Sequence, residues 1–165
     1  MSKVEEFLRE AFAGESQANR KYLAFAAKAD KEGYPQVARL FRAAGEAETI
    51  HAHNHLKVLK GIGSTADNLK AAIAGETHEF EHMYPEMIQA AQADGNKEAL
   101  RSFEYANEVE KVHAALYGKL LNSLSPSQED YPYYICPTCG YTAESSAPET
   151  CPVCGVKGKM FKRID

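Results

Sequence analysis

Two stretches of the chain carry the same pair of metal-binding residue types at the same spacing: Glu48-Thr-Ile-His51 and Glu110-Lys-Val-His113. On a helix, residues three apart lie about 60° round the axis with a rise of about 4.5 Å, so carboxylate and imidazole can reach one ion. Oxygen and nitrogen donors of this kind suit iron or manganese. Glu15, Glu76 and Glu79 add three carboxylates, each falling in a run whose apolar residues recur at helical spacing. A second kind of chemistry is written at the other end. Cys136-Pro-Thr-Cys139-Gly and Cys151-Pro-Val-Cys154-Gly form two knuckles with 11 residues between them. Four thiolates so spaced close a tetrahedron that takes zinc or iron.

Helices must position the first set. Residues 1–124 are rich in Ala, Glu, Leu and Lys, and breakers divide them into four predicted helices. The first runs from Lys3 to Asp30 and stops at Gly33-Tyr34-Pro35; the second runs from Pro35 to Lys60 and stops at Gly61-Ile62-Gly63. The third starts near Asp67 and reaches Asp94-Gly95-Asn96, with a kink expected at Pro85, and the fourth spans Lys97 to Ser123. Glu15 sits among Phe7, Leu8, Phe12 and Tyr22; Glu48 and His51 share a stripe with Leu40, Phe41 and Val58; Glu110 and His113 share one with Phe103 and Leu116. Carboxylates in an apolar stripe need a cation or a proton, since an unpaired buried ion costs several kcal/mol, and no matching set of Lys or Arg lies in these stripes.

An internal repeat ties the sets together. Ala11-Phe-Ala-Gly-Glu15-Ser16 matches Ala72-Ile-Ala-Gly-Glu76-Thr77 at an offset of 61, and Ala44 to Ala52 matches Ala106 to Ala114 at 62. The matched positions include every member of a six-residue set: Glu15, Glu48 and His51 from one half, Glu76, Glu110 and His113 from the other. Two Glu-x-x-His helices plus a Glu from each of two others is the di-iron carboxylate arrangement. Glu79, one turn after Glu76, has Ala18 as its repeat counterpart, so one metal position is expected to have a ligand that the other lacks. Tyr22 and Tyr84 are placed to hydrogen-bond bound carboxylates.

The tail changes character. Residues 125–130 read as a polar linker, and 131–165, where Pro, Gly, Tyr and Cys dominate, read as a small module of turns and short strands that needs a metal staple. Beside a redox-capable di-iron bundle, the better reading of its four cysteines is a one-electron relay rather than a structural zinc ribbon. The formal charge of −4, from 19 Lys+Arg and 23 Asp+Glu, argues against nucleic acid. No apolar run approaches membrane length, and the acidic N-terminus is unlike a signal peptide, so a soluble cytoplasmic protein is expected.

These motifs, in this order, resemble the rubrerythrins: Gly14-Glu15-Ser16, Glu48-Thr-Ile-His51, Gly75-Glu76-Thr-His-Glu79, Met83-Tyr84-Pro85, Glu110-Lys-Val-His113 and both Cys-Pro-x-Cys-Gly knuckles. The resemblance covers essentially the whole chain. It implies a mainly α protein, a ferritin-like four-helix bundle followed by a small rubredoxin-like domain of β strands and knuckles, holding two iron ions in the carboxylate site and one in the four-cysteine site. It implies reduction of hydrogen peroxide to water, with electrons from a rubredoxin or an NAD(P)H-dependent reductase passing through the four-thiolate iron. It further implies that one iron exchanges a Glu ligand for a His on reduction, by position Glu79 and His51. The alternative is a ferroxidase, iron-storage or oxygen-reducing ferritin-like protein. One feature is out of keeping: Gly61 to Ala66 offers 6 residues, about 20 Å of chain, where a ferritin-like bundle needs a crossover as long as its helices, about 40 Å. A homodimer with swapped helices is therefore expected.

Overall fold

The computed structural model of the chain describes residues 2–126 and 130–165, so three positions of the expected linker, Ser127, Gln128 and Glu129, lie outside the described residues. The chain divides into two compact units, Met1–Gly63 and Ser64–Asp165.

The first unit is a hairpin of α1 (Lys3–Lys31) and α2 (Pro35–Val58). Ser2 caps α1 by accepting the backbone N–H of Glu5, and Pro35 opens α2 where its missing N–H costs nothing. Gly33 takes a left-handed φ of 81° in the turn between them. Small residues let the helices approach: Ala26, Ala29 and Ala38 are buried together, with Phe41 against them. Asn19 pins the pair, its Nδ2 donating to the Gly45 carbonyl at 2.7 Å and to Thr49 Oγ1 at 2.8 Å.

The second unit contains α3 (Thr65–His78), a π-helical turn (Glu79–Met83), α4 (Tyr84–Ala93) and α5 (Lys97–Asn122). Ser64 and Asn96 cap α3 and α5 through their side-chain oxygens. The third expected helix is thus interrupted, but by a widened turn just before Pro85 rather than by a kink at it. Pro85 has no N–H to return to the preceding turn, and Tyr84 bonds back five residues to the Glu79 carbonyl instead.

Beyond residue 130 come three short antiparallel strands in the order β2-β1-β3: β1 (Tyr133–Ile135), β2 (Thr142–Glu144) and β3 (Lys162–Ile164). Tyr141 and Phe161 meet edge to face at 6.4 Å in the small core. This module packs on α5. Lys119 of α5 pairs with Glu144 of β2 at 2.9 Å, and the Tyr131 hydroxyl donates to the same carboxylate at 2.6 Å. No described helix is long and apolar enough to cross a membrane.

Candidate functional site

Each unit gathers three of the six matched residues. In the first, ligand atoms of Glu15, Glu48 and His51 lie within 4.8 Å of one another; in the second, those of Glu76, Glu110 and His113 do the same. The geometry repeats in detail. His51 Nδ1 is 2.9 Å from Glu48 Oε2 and 3.9 Å from Glu15 Oε1, while His113 Nδ1 is 2.7 Å from Glu110 Oε2 and 3.8 Å from Glu76 Oε1. Both imidazoles therefore turn Nδ1, not Nε2, toward the carboxylates. The i, i+3 spacing on α2 and α5 aligns Glu and His on one face, and the neighbouring helix of each hairpin supplies the third donor, a carboxylate oxygen.

The carboxylates are half-buried within their units rather than enclosed. Glu48 and Glu110 retain 17% and 16% of their side-chain exposure, whereas His51 retains 54%. A hairpin of two helices offers one wall, so it shields a carboxylate from one side only. Even so, burial pushes the Glu76 carboxyl above its ordinary value, and the charge of Glu110 pushes it further. Burial likewise raises Glu79, with the Glu76 charge adding to it. Crowded carboxylates that resist ionising together fit a divalent or trivalent cation, which removes the repulsion.

Glu79 begins the π turn. The repeat offset is 61 at Glu76 and Thr77 but 62 at Tyr84, the counterpart of Tyr22, and at Ala91, the counterpart of buried Ala29. One extra residue therefore lies between Thr77 and Tyr84, where the π turn absorbs it. That change of offset is the sequence signal for the π turn. Tyr84 stands near these acids: burial raises its hydroxyl, followed by the charges of Glu79, Glu110 and Glu76. Tyr22 packs its ring against Phe25 and Phe41, at 6.4 and 6.1 Å.

The four cysteines converge. Cys136 Sγ lies 3.5 Å from Cys154 Sγ, and Cys139 Sγ 3.6 Å from Cys151 Sγ, near the edge of about 3.8 Å in a tetrahedron with metal–sulfur bonds of about 2.3 Å. All four are free thiols. Gly140 and Gly155 hold the left-handed φ, 85° and 77°, that closes each knuckle, and both return their N–H to the first Cys carbonyl at 3.0 Å. Burial pushes the Cys136 thiol up, but the N–H groups of Cys139 and Thr138 aimed at its sulfur prevail and bring it to about 7. Cys139 stays raised by burial. The donor set fits a thiolate-bound iron.

The sequence reading missed Thr142. Its hydroxyl lies 2.9 Å from His113 Nε2, the ring nitrogen facing away from the carboxylates. No local pattern marks it, because the contact spans 29 residues and exists only through the seating of β2 on α5.

Comparison with known proteins agrees with both sites. The rubrerythrin family model matches residues 6–121, and the rubrerythrin rubredoxin-like domain model matches residues 134–162. Rubrerythrin-2 of Clostridium acetobutylicum is 41% identical, covering 95% of this chain and 94% of its own, and rubrerythrin of Porphyromonas gingivalis is 39% identical, covering 98% and 90%. These alignments run over 173 and 180 positions, so the relatives carry residues that this 165-residue chain lacks. Among solved structures, nigerythrin in its fully reduced, all-ferrous state superposes with a TM-score of 0.61 at 33% identity, covering 99% of this chain and 88% of that one. The cofactors are accordingly iron: two ions for the carboxylate and histidine ligands, one for the four cysteines. By its two matched domains, its two donor sets and its relatives, the chain belongs to the rubrerythrin family of oxidoreductases.

Proposed function

We propose that this protein is a cytoplasmic non-haem di-iron peroxidase, reducing hydrogen peroxide to two waters with two electrons and two protons. The observation that carries the reading is the seating of the four-cysteine module on α5, the helix that bears Glu110 and His113: a Cβ added to Gly140 would stand 3.8 Å from buried Val109, one residue before Glu110. A site built only to oxidise or store iron has no need of a one-electron centre there. The donor in this reading is a rubredoxin or an NAD(P)H-dependent reductase, reducing the thiolate-bound iron from outside.

When bound, the two ferrous ions supply the electron pair and the Lewis acidity for O–O cleavage. The protein does the rest. Glu15, Glu48, Glu76, Glu110 and His113 would hold the pair, with Glu79 and His51 as alternative donors to one of the two ions. Once detached, the Glu79 carboxyl, already biased toward its protonated form by burial and by Glu76, carries a proton to the departing oxygen. Tyr84 and Tyr22 orient bound carboxylates through their hydroxyls.

The working unit in this reading is a helix-swapped homodimer, in which α1–α2 of one chain completes α3–α5 of its partner. The connection from Val58 to Thr65 has six residues between the helices, about 20 Å, against about 36 Å for the 24 residues of α2. Large apolar side chains left open on the first unit, such as Phe7 at 55% and Leu40 at 68% exposure, support a second chain as cover.

The test is anaerobic titration of the fully reduced protein with peroxide. One equivalent is expected to oxidise two irons at the carboxylate site and release no mineral. Peroxide that leaves those irons ferrous, while added ferrous ion and oxygen yield a ferric core, would overturn the reading in favour of storage.

A further inference from the structure

We propose that Thr142 is a positioning residue that makes His113 the point at which electrons arrive from the four-cysteine site. The inference rests on the peroxidase reading and names the route within it.

The geometry is a short chain of bonds inside the second unit. Cys139 is followed by Gly140, whose carbonyl accepts the Thr142 hydroxyl proton at 3.2 Å. The same hydroxyl oxygen lies 2.9 Å from His113 Nε2. Having given its proton to Gly140, Thr142 has only lone pairs left for the imidazole, so Nε2 must carry the hydrogen and Nδ1 is left as the metal-binding nitrogen. That is the nitrogen turned toward Glu110 and Glu76. One side chain thus fixes the tautomer of a ligand and joins it, through two hydrogen bonds and one peptide, to a cysteine of the other site.

The matched histidine of the first unit lacks this. His51 makes its hydrogen bond through Nδ1 to Glu48, and among the described residues its Nε2 has no partner. With 54% of its side chain exposed against 27% for His113, it is the less restrained ring. The asymmetry divides the labour between two residues that the repeat makes equivalent: His113 is tethered and conducts, and His51 is free to move on and off its ion. In the conducting step one electron leaves the ferrous four-thiolate iron, which becomes ferric, and reduces one ferric ion at the carboxylate site.

The seat that creates the contact is independently fastened. Lys119 pairs with Glu144 to clamp β2 to α5 between one and two helical turns from His113, and Tyr131, within the module, holds the same carboxylate in place. Thr142 therefore meets the imidazole as part of a docked surface rather than as a stray rotamer.

The experiment uses the iron-loaded protein with Thr142→Val and Thr142→Ser. Two quantities are read: the rate at which electrons from the reduced four-cysteine iron appear at the diferric site after rapid mixing with dithionite, and the half-time for iron to leave the carboxylate site to a ferrous chelator. Thr142→Val is expected to slow the transfer and speed the release, each by about 10- to 100-fold. Thr142→Ser, which keeps the hydroxyl and drops the methyl, is expected to restore both. Equal rates in Val and wild type overturn the inference while leaving the peroxidase reading standing. A Ser variant as slow as Val overturns it too, since packing rather than the hydrogen bond would then matter. Wild-type protein that passes no electrons between the sites overturns both readings.

Discussion

The backbone N–H of Tyr84 is bonded to the carbonyl of Glu79, five residues back, inside a stretch that is otherwise regular helix. This wide turn exists in one half of a duplicated hairpin and holds the acid that the other half lacks. Replacing Glu79 with Ala, or deleting the exposed Glu81 from the turn, should have one consequence. Iron remains bound by the six matched ligands, and reoxidation of the prereduced protein by peroxide slows by roughly 100-fold or more, the scale of a lost proton donor. Stopped-flow absorbance of the ferric site measures it; wild-type rates in Glu79→Ala would remove Glu79 from the chemistry, and wild-type rates in the Glu81 deletion would remove the need for the π turn.

Sharing of the site between chains has a genetic signature. Co-expressed Glu48→Ala and Glu110→Ala chains each lose activity alone. In a swapped heterodimer one bundle collects both substitutions and the other collects neither, so about half of the iron sites of that species should be intact. Iron content and peroxide turnover of the isolated heterodimer decide it, because unswapped bundles would each carry one lesion.

Cys136→Ser should abolish the visible absorption of the thiolate-bound iron and donor-driven turnover with it. Reoxidation of chemically reduced protein by one equivalent of peroxide should persist, since the carboxylate ligands are untouched. Loss of both would mean that the module is needed to build the di-iron site and not only to feed it.

The clamp between module and helix should weaken in acid. The Tyr131 hydroxyl first, and Lys119 after it, hold the Glu144 carboxyl below its ordinary value of 4.5. A depressed carboxylate contributes its full stability above that value and loses it as pH falls through the lower folded one. Protection of β2 amides, taken relative to the intrinsic exchange rate at each pH, should therefore fall below about pH 4.5, and Glu144→Gln should show the lower protection already at pH 7.

Asn19 is a test of the first half-site's frame. Its amide bridges Gly45 and Thr49 across the hairpin, one turn from Glu15 and beside Glu48. Asn19→Ala should cost about 1–3 kcal/mol in urea unfolding, the cost of leaving a part-buried acceptor unmatched, and should weaken iron retention.

The sequence disclosed the four helical segments to within a few residues because Gly33, Gly61 and Gly95 punctuate a strongly periodic chain. The six matched residues, which the structure gathers in two sets of three, were legible because a repeat exposes what a single Glu-x-x-His cannot. Two features escaped the periodic pattern for different reasons. The π turn was visible as a slip from 61 to 62, but periodicity arguments read a helix as uniform, and Pro85 drew the irregularity to itself. Thr142 left no trace, since its partner is set by how a strand is seated on a distant helix. The carboxylates were also expected deeper than they lie, because a stripe names the face that is covered and not how much one hairpin can cover.

In the helix-swapped reading, the six residues joining Val58 to Thr65 would also act on dosage. A site whose halves come from different molecules fills in proportion to the square of chain concentration, so at low abundance most copies would stand as three-ligand fragments with weak hold on iron. A short connection would then act as a threshold: the cell acquires no scattered, half-assembled ferrous sites, and peroxide chemistry begins only once enough protein has accumulated for two chains to meet.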